Sequence, residues 1–421
     1  MPNFRLWLTA VIACRIFSSA LSQMEHCDIC TCEVDKKVLL LNCSGVKTRP
    51  GDYFGFIRQP NPDIYDHYTF DTIEANFESN RIKKLTRLSL LGISALSLAR
   101  NEIAAIDSGT FLELKTLKTL SLKNNKLETV NQKSFQGLSD LEVLDLSENM
   151  LKKLSPGIFT FLKSLRTLSL SHNMIESLDG KVFAIPTLQT LDISRNSING
   201  IGLDIFENAD NLITLNLSSN KLSTVDKFMF ASVETFDLSF NKIATVEPHA
   251  FSNLKSLKWL SLSRNNLTEV ALQELGDNLK NLRLQELHVQ RNYLQTLEVN
   301  GSRLKVLNVS SNVVTSFPTA GYTALEALDL SHNQLHSVPT GLTGLQMPAL
   351  RWLNLDNNPI TDVRFPIAGK EEQDGEIFVN LTWVSLSHMG DVQKLAAGAF
   401  SGEFLMPMSQ PQILSLARSA V

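Results

Sequence analysis

Hydrophobic and polar positions alternate in a short phrase that recurs along most of this 421-residue chain. The phrase reads L-x-x-L-x-L-x-x-N-x-L, as in Leu117, Leu120, Leu122, Asn125 and Leu127. Apolar residues two positions apart predict a short strand with its leucines on one face. Thirteen copies end on an asparagine, at spacings of 20 to 27 residues. These asparagines are Asn80, Asn101, Asn125, Asn149, Asn173, Asn196, Asn220, Asn241, Asn265, Asn292, Asn312, Asn333 and Asn358.

A single repeat of this size cannot enclose its own leucines, so neighbouring repeats are expected to stack around one continuous core. The strands of successive repeats should then form a parallel sheet of about fourteen strands along one wall. The turn after each strand leaves backbone groups without water. An asparagine side chain carries both a donor and an acceptor, and can bond them. We therefore interpret all thirteen asparagines as structural.

A second periodic feature is a phenylalanine ten residues after the asparagine in seven of the repeats. It predicts a column of buried rings on the wall opposite the sheet, where the coil is wider. In stacked repeats such a column is part of the core and does not indicate a ligand site. These residues are Phe111, Phe135, Phe159, Phe183, Phe206, Phe230 and Phe251.

The first 22 residues have the features of a secretory signal. Arg5 lies near the start, an apolar run extends from Leu6 to Cys14, and small residues end at Ser22. Cleavage is predicted after Ser22, with Ala20 as the alternative. No other stretch approaches the ~18 apolar residues that a transmembrane helix needs. We expect a secreted, extracellular protein with no membrane span.

Four of the five cysteines would remain after this cleavage, and they crowd together just before the repeats: Cys27, Cys30, Cys32 and Cys43. The C-x2-C-x-C spacing could hold a metal in a reducing compartment, but behind a secretory signal it favours disulfides. Four cysteines allow three pairings, and their spacing does not choose among them.

A cysteine cluster followed by L-x-x-L-x-L-x-x-N-x-L repeats resembles the extracellular leucine-rich-repeat proteins. The pattern looks like that of Toll-like receptor ectodomains, the secreted small proteoglycans and the soluble proteins of invertebrate immunity. The resemblance implies an α/β fold, a curved, horseshoe-shaped solenoid with a parallel β-sheet on its concave face. It also implies an N-terminal cap in which Cys27 pairs with Cys32 and Cys30 with Cys43, covering the apolar end of the first coil. The motif is specific for fold and weak for function.

The resemblance covers nearly the whole mature chain, which divides into four parts. The signal peptide at 1–22 precedes the cap and an irregular, aromatic-rich segment at 23–79. Leucine-rich repeats occupy 80–363, and a hydrophilic insertion, a degenerate fourteenth repeat and a tail occupy 364–421. Met389 stands in place of the last repeat's asparagine, and no cysteine follows Cys43. Relatives often close this end with a second cysteine cap, so here either the tail or a protein partner is expected to cover it.

Composition and motifs exclude several classes of function. Lys plus Arg number 39 against 43 for Asp plus Glu, and no basic stripe is present, so nucleic acid is not an expected ligand. The eight histidines are scattered without an acid or nucleophile at a recognisable spacing. There is no phosphate-binding glycine loop and no helical metal motif. We predict no enzyme activity, no catalytic or metal-binding residues, and no cofactor.

Binding remains, and the inner wall is the expected surface. Its exposed row, between the second and third leucines of each strand, is polar and mildly acidic, which suits a protein or glycan ligand. Exposed aromatic side chains beside that row are typical binding anchors. The candidate ligand contacts are Trp259, Phe240, Trp352, Asp145, Asp192 and Arg195.

Six N-x-S/T signals predict glycosylation, at Asn42, Asn216, Asn266, Asn300, Asn308 and Asn380. Asn216 and Asn308 fall in the inner-wall row, so sugars there would screen its middle and later part. The open surface would then be the N-terminal half, from Ser97 to Arg195.

Together these features predict a secreted, disulfide-bonded glycoprotein that recognises proteins or microbial surface glycans in innate immunity. The alternatives are a component of extracellular matrix or cell adhesion, or a receptor ectodomain lacking its membrane segment.

Overall fold

The structure is a computed structural model that describes three stretches of the chain. They are 31–45 except 36–37; 72–363 except 86, 89–91, 203, 229–230, 269–278, 280–281, 298, 300, 340–341 and 343–345; and 381–395 except 382 and 390–393. The chain forms two compact units: unit 1 comprises 1–197 and 204–211, and unit 2 comprises 198–203 and 212–421.

The described residues of unit 1 form ten short strands. They are β1 (Thr31–Asp35), β2 (Val38–Asn42), β3 (Thr72–Asn76), β4 (Ile93–Ser97), β5 (Thr119–Ser121), β6 (Val143–Asp145), β7 (Lys153–Leu154), β8 (Thr167–Ser169), β9 (Ser177–Leu178) and β10 (Thr190–Asp192). The main sheet runs in the order β1-β2-β3-β4-β5-β6-β8-β10. Strand β1 is antiparallel to β2, and the pairs that follow are parallel. The remaining two strands, β7 and β9, form a separate parallel pair.

The described residues of unit 2 form twelve strands. They are β11 (Thr214–Asn216), β12 (Thr224–Val225), β13 (Thr235–Asp237), β14 (Thr245–Val246), β15 (Trp259–Ser261), β16 (Glu286–His288), β17 (Val306–Asn308), β18 (Ala327–Asp329), β19 (Trp352–Asn354), β20 (Asp362–Val363), β21 (Trp383–Ser385) and β22 (Lys394–Leu395). Its main sheet runs β11-β13-β15-β16-β17-β18-β19-β21, all parallel. Strand pairs β12–β14 and β20–β22 are also parallel.

Each of the fourteen predicted repeats therefore contributes one strand to a parallel sheet, which confirms the architecture of stacked coils. The returns between strands are mainly turns and extended segments, and among the described residues only Leu279 has a helical backbone. The strand leucines point into the coils. In unit 1 the central ones, Leu120, Leu144, Leu168 and Leu191, are completely buried and follow one another in register.

The asparagine ladder joins each coil to the one before it. Asn149 shows the pattern: its Nδ2 donates to the carbonyls of Leu146 and Ser147 in its own coil and of Leu122 in the preceding coil, at 2.9–3.1 Å. Its Oδ1 accepts the backbone N–H of Leu127, also in the preceding coil, at 3.0 Å. The thirteen ladder asparagines are all buried, and each donates to backbone carbonyls. Their structural interpretation is confirmed.

The residue before each ladder asparagine has a left-handed backbone, although none of them is glycine. Examples are Arg100, Asn124 and Glu148, with φ between 53° and 54°. This conformation costs an ordinary residue about 1–2 kcal/mol. A hydrogen bond to the next coil stabilises this conformation, because the same residue donates its N–H there, as Asn124 does to the Ser147 carbonyl at 2.9 Å.

The predicted phenylalanine column is present in unit 1. Phe135, Phe159, Phe183 and Phe206 stack on one another with ring centroids 5.7–6.3 Å apart. In unit 2, Phe251 instead packs against Phe228 and Phe236 in tilted and edge-on contacts. Phe230, the residue predicted from the spacing, lies outside the described residues.

The first described residues of unit 1 form a β-hairpin that the repeat pattern did not reveal. Strand β1 pairs antiparallel with β2, and β2 then pairs in parallel with β3. Cys43 directly follows β2, is disulfide-bonded and almost fully buried, and accepts a hydrogen bond from Asn80 through its carbonyl. The signal peptide, Cys27, Cys30 and the side chain of Cys32 lie outside the described residues, so the cap pairing stays a prediction.

The last strand of the main sheet, β21, keeps the repeat geometry without its asparagine. His388, ahead of Met389, has the same left-handed φ of 53° as the residues before the ladder asparagines. Asp356, in the preceding coil, supplies a bond that ties the two coils together: its Oδ1 accepts the N–H of Ser387 at 2.6 Å and the hydroxyl of Ser385 at 2.5 Å. This carboxylate holds the fourteenth coil where an asparagine is missing. Residues 364–380 and 396–421, with the predicted insertion and tail, lie outside the described residues.

Replacing Leu144 by alanine should destabilise the protein by ~2–5 kcal/mol, because a fully buried side chain is lost and a cavity remains. The free energy of unfolding from urea denaturation measures this. The matched control is Val143→Ala, whose side chain lies half-exposed on the opposite face of the same strand. Equal losses for both variants would contradict the assigned register.

Replacing Asn149 by alanine should cost more than about 2 kcal/mol, because it strands buried backbone groups in two coils. Amide hydrogen exchange checks the location of the damage: protection should fall first at Leu127, whose N–H loses its acceptor. If protection at Leu127 is unchanged, the ladder does not hold neighbouring coils together.

Candidate functional site

The solvent-facing side of the unit 1 sheet carries two rows of side chains in register. The first runs from Glu33 through Leu40, Glu74, Ala95 and Thr119. The second consists of Thr31, Asn42, Asn76, Ser97, Ser121, Asp145, Ser169 and Asp192. These rows make a flat, polar wall because strand side chains alternate between core and solvent.

A cleft of about 370 Å³ opens in this wall over β1 to β5. Small residues, Ala95 and Ser97, form its floor, whereas Glu33 and Glu74 are exposed and bring two carboxylates to it. Ser97 donates its hydroxyl to Glu78 Oε1 at 2.9 Å, which places a third carboxylate beside the floor. The cleft, here called the N-terminal cleft, combines carboxylates, hydroxyls and amides and suits a polar ligand that offers hydrogen-bond donors.

The two predicted acidic contacts, Asp145 and Asp192, also have a structural role. Asp145 Oδ1 accepts the N–H of Ser147 at 2.9 Å, and Asp192 Oδ1 accepts that of Ser194 at 2.9 Å. Asn216, at the same place in unit 2, does likewise with Ser218. An aspartate or asparagine at the end of the strand thus closes the following turn. Both aspartates still face solvent in part, and their role in binding stays a prediction.

Charged residues line the edge of the unit 1 wall, where the strands turn. Glu148 accepts hydrogen bonds from Asn124 at 2.7 Å and lies 3.2 Å from Lys123 Nζ. The hydrogen bond from Asn124, followed by that from Lys123, lowers the pKa of Glu148 below its ordinary value. Arg195, a predicted contact, is exposed on this edge and has the left-handed φ of 53°.

The unit 2 wall carries aromatic groups. Phe240 is 49% exposed, and the guanidinium of Arg264 lies over its ring, 4.6 Å from the centroid. Trp259 on β15 is half-buried and contacts the His288 ring at a centroid distance of 5.3 Å. His288 Nε2 lies 3.5 Å from a Glu286 carboxylate oxygen. Both predicted anchors are therefore accessible but already packed against a neighbour.

Trp352 on β19 belongs to a pair that the prediction did not include. Its register partner on β21 is Trp383, and the two indole rings stack 4.6 Å apart with only 2° between their planes. Both rings are half-exposed. The sequence prediction included the degenerate fourteenth repeat but not Trp383. The signal that could have found it is the equivalent position of Trp352 and Trp383, each directly ahead of a central strand residue, Leu353 or Val384.

The predicted glycosylation sites occupy different surroundings. Asn42, beside the N-terminal cleft, and Asn266 are exposed, whereas Asn216 and Asn308 are half-buried on strands of the unit 2 wall. Asn42 Oδ1 accepts the N–H of Ser44 at 3.1 Å. The other two, Asn300 and Asn380, lie outside the described residues. Attachment of sugar stays a prediction at all six.

Sequence comparison gives the class of protein to which this arrangement of strands and ladder belongs. The chain matches the family described as "Leucine rich repeat" at 92–151, 140–184, 186–234 and 231–283, and a second description, "Leucine Rich Repeat", at 324–345. These segments together span about half of the chain. The protein belongs to the leucine-rich-repeat family, whose solenoid is typically a scaffold for protein interaction without enzyme activity.

Among individual relatives, lumican of Oryctolagus cuniculus is 31% identical over 137 residues. The match covers 32% of this chain and 65% of lumican, less than two thirds of its length. A chain of the octameric complex of latrophilin 3, Unc5D and FLRT2 (LRR) has a TM-score of 0.52 and 25% identity, covering 64% of this chain and 90% of that one. The Toll–Spätzle complex of Drosophila has a TM-score of 0.58 and 20% identity, over 78% of this chain and 49% of that one, and shows the fold alone.

No group of three or more His, Cys, Asp or Glu side chains in the described ranges is placed to hold a metal ion. No helix in that part of the chain is long and apolar enough to cross a membrane.

The Trp352–Trp383 stack should stabilise the last two strands by ~0.5–1.5 kcal/mol beyond the burial of each ring. A double-mutant cycle of Trp352→Ala and Trp383→Ala, read by denaturant unfolding, measures this coupling. The matched cycle of Trp352→Ala with Trp259→Ala should give additive losses, because Trp259 lies four strands away in the sheet. Additivity in both cycles would contradict the stack.

Proposed function

We propose that this protein is a secreted, glycosylated recognition protein that binds a protein or a microbial surface glycan through the N-terminal cleft. The observation that carries the proposal is the cleft itself, a depression in the sheet wall lined by Glu33, Glu74 and several hydroxyl and amide side chains as well as by apolar ones. The repeated rows expose similar groups along their length, whereas the cleft brings together carboxylates and hydroxyls at one place. Such a concave site with convergent polar groups is the default binding location on a protein surface.

Several features support secretion and recognition. The N-terminal 22 residues have signal-like character, and Cys43 is disulfide-bonded, which is typical of proteins in oxidising compartments. The FLRT2 (LRR) chain, at 25% identity, is found in a complex with latrophilin 3 and Unc5D, so a relative with this fold engages other proteins. We favour a role in innate immunity. The ligand would then be either a protein or a microbial surface glycan, and experiment must distinguish these two classes.

The charge of the cleft narrows the chemistry of the ligand. Glu33 and Glu74 are exposed, and Glu78 lies beside them, so a ligand surface rich in lysine, arginine or hydroxyl donors would be complementary. Association with such a surface should weaken as salt is raised, because exposed charges are screened within ~10 Å at 0.1 M ionic strength.

Binding through the cleft should be abolished by Thr119→Arg, because the long side chain would extend over Ala95 and fill the floor. The immobilised, glycosylated protein would be exposed to extracellular fluid and, separately, to intact bacterial and fungal cells. We expect the variant to retain at least tenfold less protein or fewer cells than the parent protein, as measured by mass spectrometry and cell counts.

The matched control is Ser139→Arg, which adds the same charge at an exposed turn between Leu138 and Leu141. It should retain as much as the parent. Equal retention by both variants would place binding elsewhere than the cleft. Retention of cells without retention of soluble proteins would select the glycan class, and the reverse result would select the protein class.

A further inference from the structure

Among the described residues, one face of the half-exposed Trp352 indole on the unit 2 wall has no ring stacked on it. Trp383 covers the other face, with the two ring centroids 4.6 Å apart and the two rings nearly parallel. The plane of the Trp352 ring is therefore roughly perpendicular to the direction from one strand to the next. The open face therefore points toward β18. The residue in register there is Ala327, whose single methyl group cannot cover an indole.

The two acidic side chains near Ala327 are engaged in contacts that do not cover it. Asp329 Oδ1 accepts the hydroxyl of Ser331 at 2.7 Å and its N–H at 3.0 Å, which ties this carboxylate to its own turn. Glu326 lies 3.5 Å from Lys305 Nζ, toward the preceding strand. The space above Ala327 is thus a slot between the Trp352 ring on β19 and Val306 on β17, which are about two strand spacings, ~9.6 Å, apart.

Asn308 on β17 adjoins this slot and begins the glycosylation signal Asn308-Val309-Ser310. Its register partner is Asp329, so Asn308 and Ala327 are one strand and two residues apart, about 8 Å between their Cα atoms. An asparagine side chain with one linked pyranose ring spans such a distance. The first sugar of a glycan on Asn308 can therefore lie above Ala327.

The side-chain amide of Asn308 is oriented so that its nitrogen is available for attachment of a glycan. Its Oδ1 accepts both the N–H and the hydroxyl of Ser310, at 3.0 and 2.7 Å. Within the described residues, Nδ2 takes part in no hydrogen bond. The nitrogen that would carry the sugar is thus the half of the amide left for solvent, while the oxygen is fixed.

We infer that Asn308 carries an N-linked glycan whose first N-acetylglucosamine occupies the slot and stacks on the open face of Trp352. The electron-rich face of an indole attracts the electropositive C–H groups on the flat side of a pyranose ring. Such a contact is weak for a free sugar. A tethered sugar is held at a high effective concentration, so even a weak contact is populated.

The seated sugar closes the wall of unit 2 over β17 to β19 to other ligands and gives the half-exposed tryptophan pair a cover. This inference rests on the proposed function, because only a chain that enters the secretory pathway receives N-linked glycans. It also gives Trp352 a different role from the ligand contact predicted from its exposure.

The test uses the full chain secreted from an animal cell line. Peptide mass spectrometry after enzymatic removal of N-glycans in heavy-oxygen water should show Asn308 occupied. Hydroxyl-radical labelling, read peptide by peptide, should then modify Trp352 at least threefold faster in Asn308→Gln than in the parent protein. Trp259, which packs on His288, serves as the internal reference and should not change.

The matched control is Asn216→Gln, which removes a signal at the same strand position six strands away from Trp352; the indole two strands along from Asn216 is Trp259. It should leave the labelling of Trp352 unchanged. A second measurement avoids mutation altogether: an endoglycosidase that leaves one N-acetylglucosamine on each site should preserve the protection of Trp352, and complete removal by an amidase should abolish it.

An unmodified Asn308 on a secreted chain glycosylated elsewhere would overturn this inference and leave the proposed function standing. An occupied Asn308 with equal labelling of Trp352 before and after sugar removal would also overturn it. Failure of the chain to be secreted, with no sugar at any site, would instead contradict the proposed function on which it rests.

Discussion

The hydrogen bonds of the ladder asparagines are the constraint on which the rest of this structure depends. A strand of three residues has almost no stability alone, so each coil persists only through its neighbours. Leucines supply most of the burial, but they specify no unique register between coils. The asparagine does, because one side chain binds the carbonyls of Leu122 and Leu146 and the N–H of Leu127, groups from two successive coils. The rows of side chains on each sheet wall inherit their alignment from these bonds.

The repeated turn shapes the functional surface as well as the core. Each strand ends on a residue such as Asp145 that closes its own turn, and the residue before the asparagine adopts a left-handed backbone. Polar side chains on the wall are thus partly explained by folding alone, which weakens any argument from their polarity to a ligand. Departures from the repeat are more informative: Ala95 beneath the cleft, Ala327 beside Trp352, and the tryptophan pair itself.

Periodicity predicted the fold well because a repeat presents the same physical problem many times. The strand leucines, the thirteen asparagines and the buried phenylalanines of unit 1 follow directly from spacing. The site was harder to predict because it arises where periodicity fails. The β1–β2 hairpin has no repeat signature, Trp383 lies in the coil that has Met389 in place of the asparagine, and the role of Asp356 depends on a contact 31 residues away in sequence. Exposure of Trp259 and Phe240 was foreseen, but their packing on His288 and Arg264 depends on neighbouring strands.

The ladder also implies an order in which the coils fold during synthesis. The N–H of Leu127 finds its acceptor in Asn149, which lies 22 residues further along the chain. A coil leaving the ribosome therefore stays incomplete until the asparagine of the following coil has emerged. Synthesis and folding should proceed in the same order, with one unfinished coil always at the growing end. In the part of the chain that the structure describes, the fourteenth coil is not followed by another ladder asparagine. It is attached instead through Asp356 of the preceding coil, so its folding depends on a residue that has already been synthesised.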